Sequence, residues 1–507
     1  MRFYIYAFLC CVWWDVTFGA RRIKLGLGEP NSPETRNAQP VVDYWFQQKL
    51  DHFNPTDKRT WKQRYQINQD FYKSGGPVFL MIGGEGKMSS KWINSGAWIE
   101  YAEEFNALCF QLEHRFYGDS HPTEDASTAN LVYLSSEQAL ADLAEFIVGM
   151  KAKYNIPPES KWIAFGGSYP GSLAAWLRMK YPHLVHAAVS SSGPLLAKID
   201  FYEYYKVVED ALSTYKPACV TQIKLANQML NAIIKSGKEI KYINKKFKLC
   251  DPLDRNNKKD VSNLFESLAD NFAEIVQYNK DNRKSNMTDT NAIITLETLC
   301  DIMTNESIVS PLEKYAAVND RMLSSNNLTC TDYVYEKEVN ILKNVSWESS
   351  AASSRQWTYQ TCTEFGFYQT SNQDEHVFGN KNPVNFFTDM CVDVYGEKFN
   401  TDLLAKGVDR TNWMYGELNI KETRVVYVHG SVDPWHALGI TRTKTVNTAA
   451  IYIVGTAHCA NMYPSATTDL PQLTKARIAI KAFLSDWLTI SDDLDSTNQE
   501  TVRFDSK

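Results

Sequence analysis

A serine, an aspartate and a histidine stand in this chain where acyl-transfer chemistry would use them. Ser168 lies in FGGSYPGSLAAW, residues 165–176. The apolar run Trp162 to Phe165 before it reads as a short strand, and Ser172 to Lys180 after it reads as a helix that must stop before Pro182. Gly166, Gly167 and Gly171 crowd the serine. A sharp strand-to-helix turn needs such neighbours, because it exposes the hydroxyl by straining the serine backbone while the flanking chain passes close by. The spacing departs from the usual G-x-S-x-G: Pro170 follows, and the glycine comes one residue later. Proline suits the first turn of a helix, where its fixed φ fits and its missing N–H is not needed. The competing reading is an inert glycine-serine loop, so a nucleophile requires a base and an acid elsewhere.

Of nine histidines, His458 stands apart. It follows the strand-like run Ile451 to Val454 in the loop GTAHCANMYP, and the base of an α/β-hydrolase sits on a loop after a late strand. Asp433 follows the preceding run, Arg424 to Val428, in HGSVDPWHALG. A turn aspartate before proline is the ordinary alternative; as a catalytic acid it would orient the imidazole and stabilise its charged form. The order Ser168, Asp433, His458 is the one this fold uses, and the last two are 25 residues apart, room for one crossover. An oxyanion hole would take the N–H of Tyr169 and a second amide, for which Gly84 in FLMIGGEG, at an early strand's exit, is the candidate. Trp435, two residues after the aspartate, is a candidate wall for a proline ring, against the alternative of a core tryptophan.

The elements that must carry these residues alternate. Strand-like runs recur at 78–82, 107–112, 162–165, 185–190, 425–428 and 451–454, separated by helical patterns. The clearest helix begins at Ser135-Ser136-Glu137-Gln138, which reads as a capping box, and another spans Leu473 to Leu488. This predicts an α/β fold of the hydrolase type, a mostly parallel sheet covered by helices on both faces. The sheet domain is expected over 41–200 and 351–490. The interval 201–350 breaks the rhythm, is polar and helical in pattern, and is expected to be an inserted cap.

The bulk of the sequence bounds the setting. With 507 residues the length prior is about three domains, or one large enzyme with an insertion. At 44% hydrophobic residues the chain can bury a large core. A net charge of −6 gives no reason to expect nucleic acid, and Lys245-Lys246-Phe247-Lys248 reads as solvated surface. Arg2, the apolar run Phe3 to Trp14 and the small residues up to Ala20 read as a signal peptide over 1–20, with Asp15 slightly atypical. The run is shorter than the roughly 20 residues a membrane span requires, and no later segment is long enough. Residues 21–40 read as a linker or pro-segment, and the tail 491–507 as disordered. Beyond Cys10 and Cys11 in the leader, eight cysteines remain, six of them between Cys219 and Cys391, which points to a locally stapled region. Glycosylation sequons at Asn286, Asn305, Asn327 and Asn344 fall in the same region. Spacing alone leaves the cysteine pairing open.

The chain resembles the lysosomal Pro-X carboxypeptidase and dipeptidyl peptidase II family of serine peptidases, nearest its thymus-specific branch. The marks, in order over nearly the whole mature chain, are QKLDHF (48–53), GGEG (83–86), EHRFYG (113–118), GGSYPGSLAAW (166–176), RQWTYQTCTEFGFYQT (355–370), GSVDPWHALG (430–439) and GTAHC (455–459). The resemblance implies Ser168 as nucleophile with Asp433 and His458 as partners, a helical cap, peptide substrates, a lysosomal or secreted location, and a preference for bonds after proline or another small apolar residue. It implies neither metal nor organic cofactor. It also implies the bridges Cys219–Cys300, Cys250–Cys330 and Cys362–Cys391, with Cys109 and Cys459 unpaired. The family contains both carboxypeptidases and dipeptidyl peptidases. Glu85, beside the candidate oxyanion loop, is a candidate for a substrate's α-amine, against the alternative of a structural carboxylate. Direction of attack and a homodimer stay open, as do two rival readings: a lipase or esterase on the same fold, and a non-catalytic binding protein.

Overall fold

A computed structural model describes residues 28–30, 41–280, 294–372, 376–445 and 447–490. The expected leader, most of the expected linker, Asn286 and the expected tail lie outside the described residues.

Among the described residues there are ten strands, in chain order β1 (Tyr44–Lys49), β2 (Thr60–Asn68), β3 (Val78–Ile82), β4 (Leu108–Leu112), β5 (Trp162–Gly167), β6 (Ala187–Ser191), β7 (Lys198–Asp200), β8 (Gly366–Tyr368), β9 (Val425–Gly430) and β10 (Thr448–Ile453). Eight of them form one sheet in the order β1-β2-β4-β3-β5-β6-β9-β10, while β7 and β8 pair separately. From β4 to β10 every neighbour is parallel; β2 runs antiparallel to β4, and β1 to β2. This is the α/β-hydrolase fold. Its central strands are short apolar runs because both faces are buried. Along β3, Val78, Leu80 and Ile82 pack with Leu140 and Ile147 of the helix Ser136–Lys153 and Leu173 of Tyr169–Lys180. Phe79 and Met81 point the other way, into a cluster with Trp98 of Ala97–Phe105 and Ile480 of Pro471–Thr489.

The central strands lie where the apolar runs predict them, but β1 and β2 carry no such run. In β2, TWKQRYQIN, the buried positions include Gln63, Arg64 and Gln66. Gln63 accepts from Gln48 at 2.8 Å and donates to the Glu113 carbonyl at 2.7 Å, while Arg64 pairs with the buried Glu113 carboxylate at 2.9 Å. Polar residues with satisfied partners can fill a core, and a search for apolar runs passes over them. The helix start at Ser135 is also a correction. Ser135 accepts from the Gln138 N–H at 3.2 Å, but the Gln138 side chain bonds His52 N and Asp51 instead of closing the reciprocal box.

Between β6 and β9 the chain is mainly helical, from Glu203–Tyr215 to Thr401–Tyr415, so the helices continue past Ser350. Leu230, Leu264 and Phe272 join the same cluster as Val78 and Leu80, while Val339, Phe386 and Leu404 form a second cluster with Phe116 and Leu131. Three disulfides staple the region, Cys219–Cys300, Cys250–Cys330 and Cys362–Cys391, and Cys109 and Cys459 are free and buried, as the resemblance implies. Asn305, Asn327 and Asn344 are exposed. No helix among the described residues is long and apolar enough to cross a membrane.

Candidate active site

Ser168 joins β5 directly to the helix Tyr169–Lys180, with φ 65° and ψ −135°. A non-glycine residue there is strained and persists only where its surroundings hold it. Its N–H donates to the Ser191 carbonyl at the end of β6 (2.9 Å), and its carbonyl accepts from Gly171 and Ser172. A side chain at Gly166 would begin 2.0 Å from the Pro170 carbonyl oxygen, so the elbow closes only over glycine. The Tyr169 N–H is then the first-turn donor that the helix itself leaves unused.

Asp433 and His458 follow β9 and β10, and both are fully buried. The Asp433 Oδ1 accepts from His458 Nδ1 at 2.8 Å and from the Trp435 main-chain N–H at 3.0 Å. Burial opposes charge on both groups. Nevertheless the Asp433 carboxylate holds the His458 pKa well above its usual value, and His458 holds that of Asp433 below the usual carboxylate value. His458 Nε2, the nitrogen a base would use, has no hydrogen-bond partner among the described residues. The end of β6 ties this pair to the elbow. Ser191 O holds Ser168, while the next residue, Ser192, accepts the Cys459 N–H at 2.9 Å and donates its own N–H to Val428 O. Asn461 also donates to the Ser191 hydroxyl at 2.8 Å.

Gly84 lies against the elbow: a Cβ there would be 2.6 Å from Pro170 Cγ. The Tyr169 side chain is locked by a directional relay. His114 Nδ1 faces the Arg115 carbonyl at 2.7 Å and so carries the proton, which leaves Nε2 to accept from the Tyr169 hydroxyl at 3.1 Å. That hydroxyl accepts from Gln360 Nε2 at 3.2 Å, and Gln360 Oε1 accepts from Tyr117 at 2.7 Å. The same Gln360 amide donates to Glu364, on a π-helical turn over Thr361–Phe365, which also accepts from Ser136 N and Oγ. Burial pushes the His114 pKa down to about 4, so the relay runs through a neutral imidazole.

The family model for Serine carboxypeptidase S28 matches residues 48–480. The chain belongs to that family. It is a serine peptidase. It is similar to a Caenorhabditis elegans protein assigned as a serine protease, at 38% identity, with 89% of each chain covered. It is also similar to the thymus-specific serine protease of Mus musculus, at 34% identity over 88% of this chain and 87% of that one. The lysosomal Pro-X carboxypeptidase of Homo sapiens matches at 28% identity over 96% of each. Among solved structures, a proline iminopeptidase of Mycobacterium smegmatis covers 88% of this chain and 98% of its own at 12% identity, with a TM-score of 0.36.

Of this family member's other candidate residues, Trp435 is only 9% exposed. Its ring packs among Phe201, Tyr204 and Phe367, with its centroid 6.4 Å from that of His458. Glu85 is buried, and its charge is among the causes that raise the Tyr169 phenol pKa, after burial itself, Glu364 and Tyr415. Ser191, Ser192, His114, Gln360 and Glu364 carry no local pattern that singles them out. His114, Gln360 and Glu364 do fall inside the motifs EHRFYG and RQWTYQTCTEFGFYQT. Their convergence on Tyr169 is a contact across 191 residues of sequence in the case of Gln360.

Proposed function

We propose that the chain is a serine exopeptidase that cleaves after proline or another small apolar residue, with Ser168, Asp433 and His458 as its catalytic residues. The observation that carries this reading is the buried Asp433–His458 pair, roped through Ser191 and Ser192 to a strained serine. The Ser168 Oγ attacks the scissile carbonyl as His458 Nε2 takes its proton. Asp433 keeps the imidazole oriented and stabilises its charged form. The N–H groups of Tyr169 and Gly84 receive the oxyanion, and the rigid relay behind Tyr169 keeps one of these donors aimed before charge develops. Collapse expels the amine with the proton held by His458, leaving an acyl-Ser168; water, activated by the same histidine, then releases the acid.

Trp435 offers the acyl-side residue a flat apolar surface near the base. One ring's worth of contact discriminates by about 1–3 kcal/mol, so proline should be preferred over alanine by roughly ten- to a few hundred-fold. Glu85, beside the oxyanion loop, is the group to receive a free α-amine, which favours release of dipeptides. The exposed Asn305, Asn327 and Asn344 and the three disulfides support passage through the secretory pathway to a lysosomal or secreted location.

The test is an active-site phosphonate followed by a panel of free and N-terminally blocked proline peptides. Label on Ser168 and cleavage of free-amine proline peptides are expected. Esters cleaved with every peptide refused would replace the peptidase reading with an esterase one, and blocked peptides cleaved equally well would remove the role of Glu85.

A further inference from the structure

We propose that Gln277, the last residue of the helix Lys258–Gln277, is a positioning residue for the catalytic pair and for the apolar wall. The inference rests on the reading of Asp433 and His458 as catalytic residues, and it makes the helical insertion a working part of the site.

Gln277 closes a ring of hydrogen bonds. Its Oε1 accepts from the Trp435 indole Nε1–H at 3.2 Å. The main-chain N–H of Trp435 donates to Asp433 Oδ1 at 3.0 Å, and the same oxygen accepts from His458 Nδ1 at 2.8 Å. The main-chain N–H of His458 then returns to the carbonyl of Gln277 at 2.9 Å. Three members of the ring come from the loops after β9 and β10. Only Gln277 comes from the insertion, and it touches both loops. It is anchored in turn by the Tyr204 hydroxyl, which donates to Oε1 at 2.5 Å, so one amide oxygen uses both its lone pairs on buried donors.

Helix ends make such a residue available. The last carbonyls of a helix have no partner within it, and here the one on Gln277 is spent on the base's own amide. The C-terminal end of the helix dipole also carries partial negative charge, which favours a positive charge nearby, as on His458 once it has taken the serine proton. Side-chain and main-chain contacts thus fix two things at once: the plane of the Trp435 ring and the place of the His458 loop.

Substitution separates the side-chain part from mere packing. Gln277→Met fills the same volume without an acceptor, Gln277→Ala removes both volume and acceptor, and Gln277→Glu keeps an acceptor oxygen at the same reach. For Met and Ala we expect kcat on a proline substrate to fall about tenfold and the proline-to-alanine ratio of kcat/KM about fivefold, with KM moving less than kcat. Gln277→Glu should restore the ratio to within about twofold of the parent. In a Trp435→Phe background, which has no indole N–H, Gln277→Met should lower the ratio little further, because the two residues act through one bond.

The proposal is overturned if Gln277→Met, folded by its melting temperature, keeps kcat and the ratio within about twofold of the parent. It is equally overturned if Gln277→Glu is as impaired as Gln277→Met, or if the Trp435→Phe and Gln277→Met effects multiply in full. Failure of the unsubstituted protein to take phosphonate on Ser168 would be a different result, bringing down the reading of the site and this inference with it.

Discussion

The sheet and the helical interval between β6 and β9 are held together by different means. The sheet buries apolar strands on both faces and adds internal ion pairs: Arg64 with Glu113, and Arg115 with Asp142 through contacts of 2.6 and 2.7 Å. In the interval most helices offer one apolar face, and its ion pairs, such as Lys206–Asp210 and Lys246–Glu313, are largely exposed. All three disulfides among the described residues lie there. The difference has a functional side. The groups proposed to make and break bonds sit on loops at the sheet's edge, where strand ends hold them rigidly. The interval contributes two amides: Gln277 grips the loops after β9 and β10, and Gln360 holds the Tyr169 side chain on the helix after Ser168. In the proposed reading the chemistry and the Trp435 wall are placed on the stiff layer, and their alignment is drawn from the stapled one.

That contrast can be broken at several points, starting with the chemistry. Ser168→Ala should abolish phosphonate labelling in a folded protein. Asp433→Asn should keep the fold and lose about 10⁴ in kcat, as a comparable triad does; near-normal turnover by either would remove the assignment. Next come the two kinds of scaffold. Arg115→Met leaves the buried Asp142 carboxylate with its His52 hydrogen bond but without the guanidinium, and should cost about 3–5 kcal/mol of global stability. Replacing Cys219 and Cys300 together by serine should cost about 2–5 kcal/mol. Denaturant titration gives both values. Proteolysis should then nick the interval first in the cysteine variant, and show no such preference in Arg115→Met.

Acid should strain both regions through buried neutral histidines. Burial pushes His429 at the end of β9, His114 after β4 and His376 in the interval each down to about 4, against a usual value near 6.5. The unfolded chain therefore takes up these protons first. Their contribution is whole above pH 6.5 and is lost as pH falls toward 4, by up to roughly 3 kcal/mol for each. His429, whose ring nitrogens have no partner among the described residues, is the cleanest probe. His429→Leu should leave the melting temperature at pH 7.5 almost unchanged and flatten its fall between pH 6.5 and 4; an unaltered slope would show that His429 already carries a proton when folded. Asp433 adds in the same direction, since its lowered pKa gives stability that is lost as pH drops. His458 runs the opposite way: its raised pKa contributes below pH 6.5, and the contribution is lost only as pH rises through the raised value. The smallest effect belongs to the surface. Lys206→Ala, breaking an exposed pair one helical turn apart, should change stability by at most about 0.5 kcal/mol, within reach of a careful titration.

How much of this is written locally can be judged residue by residue. The runs Val78 to Ile82 and Trp162 to Phe165 announce central strands, because a strand buried on both faces has to be apolar throughout. The glycines around Ser168 announce the elbow, since its close approach admits no side chain. The chain order of Ser168, Asp433 and His458 follows from which strand each residue succeeds. Other features belong to the tertiary structure alone. Gln63, Arg64 and Gln66 lie inside only because Gln48, Glu113 and Asp43 meet them there. Gln277 reaches Trp435 across 158 positions and Gln360 reaches Tyr169 across 191. Periodicity and turn chemistry are set by neighbours a few residues away, so they can be read along the chain. A polar side chain's partner is set by how whole layers pack, and nothing in its own stretch of sequence records which distant donor will arrive.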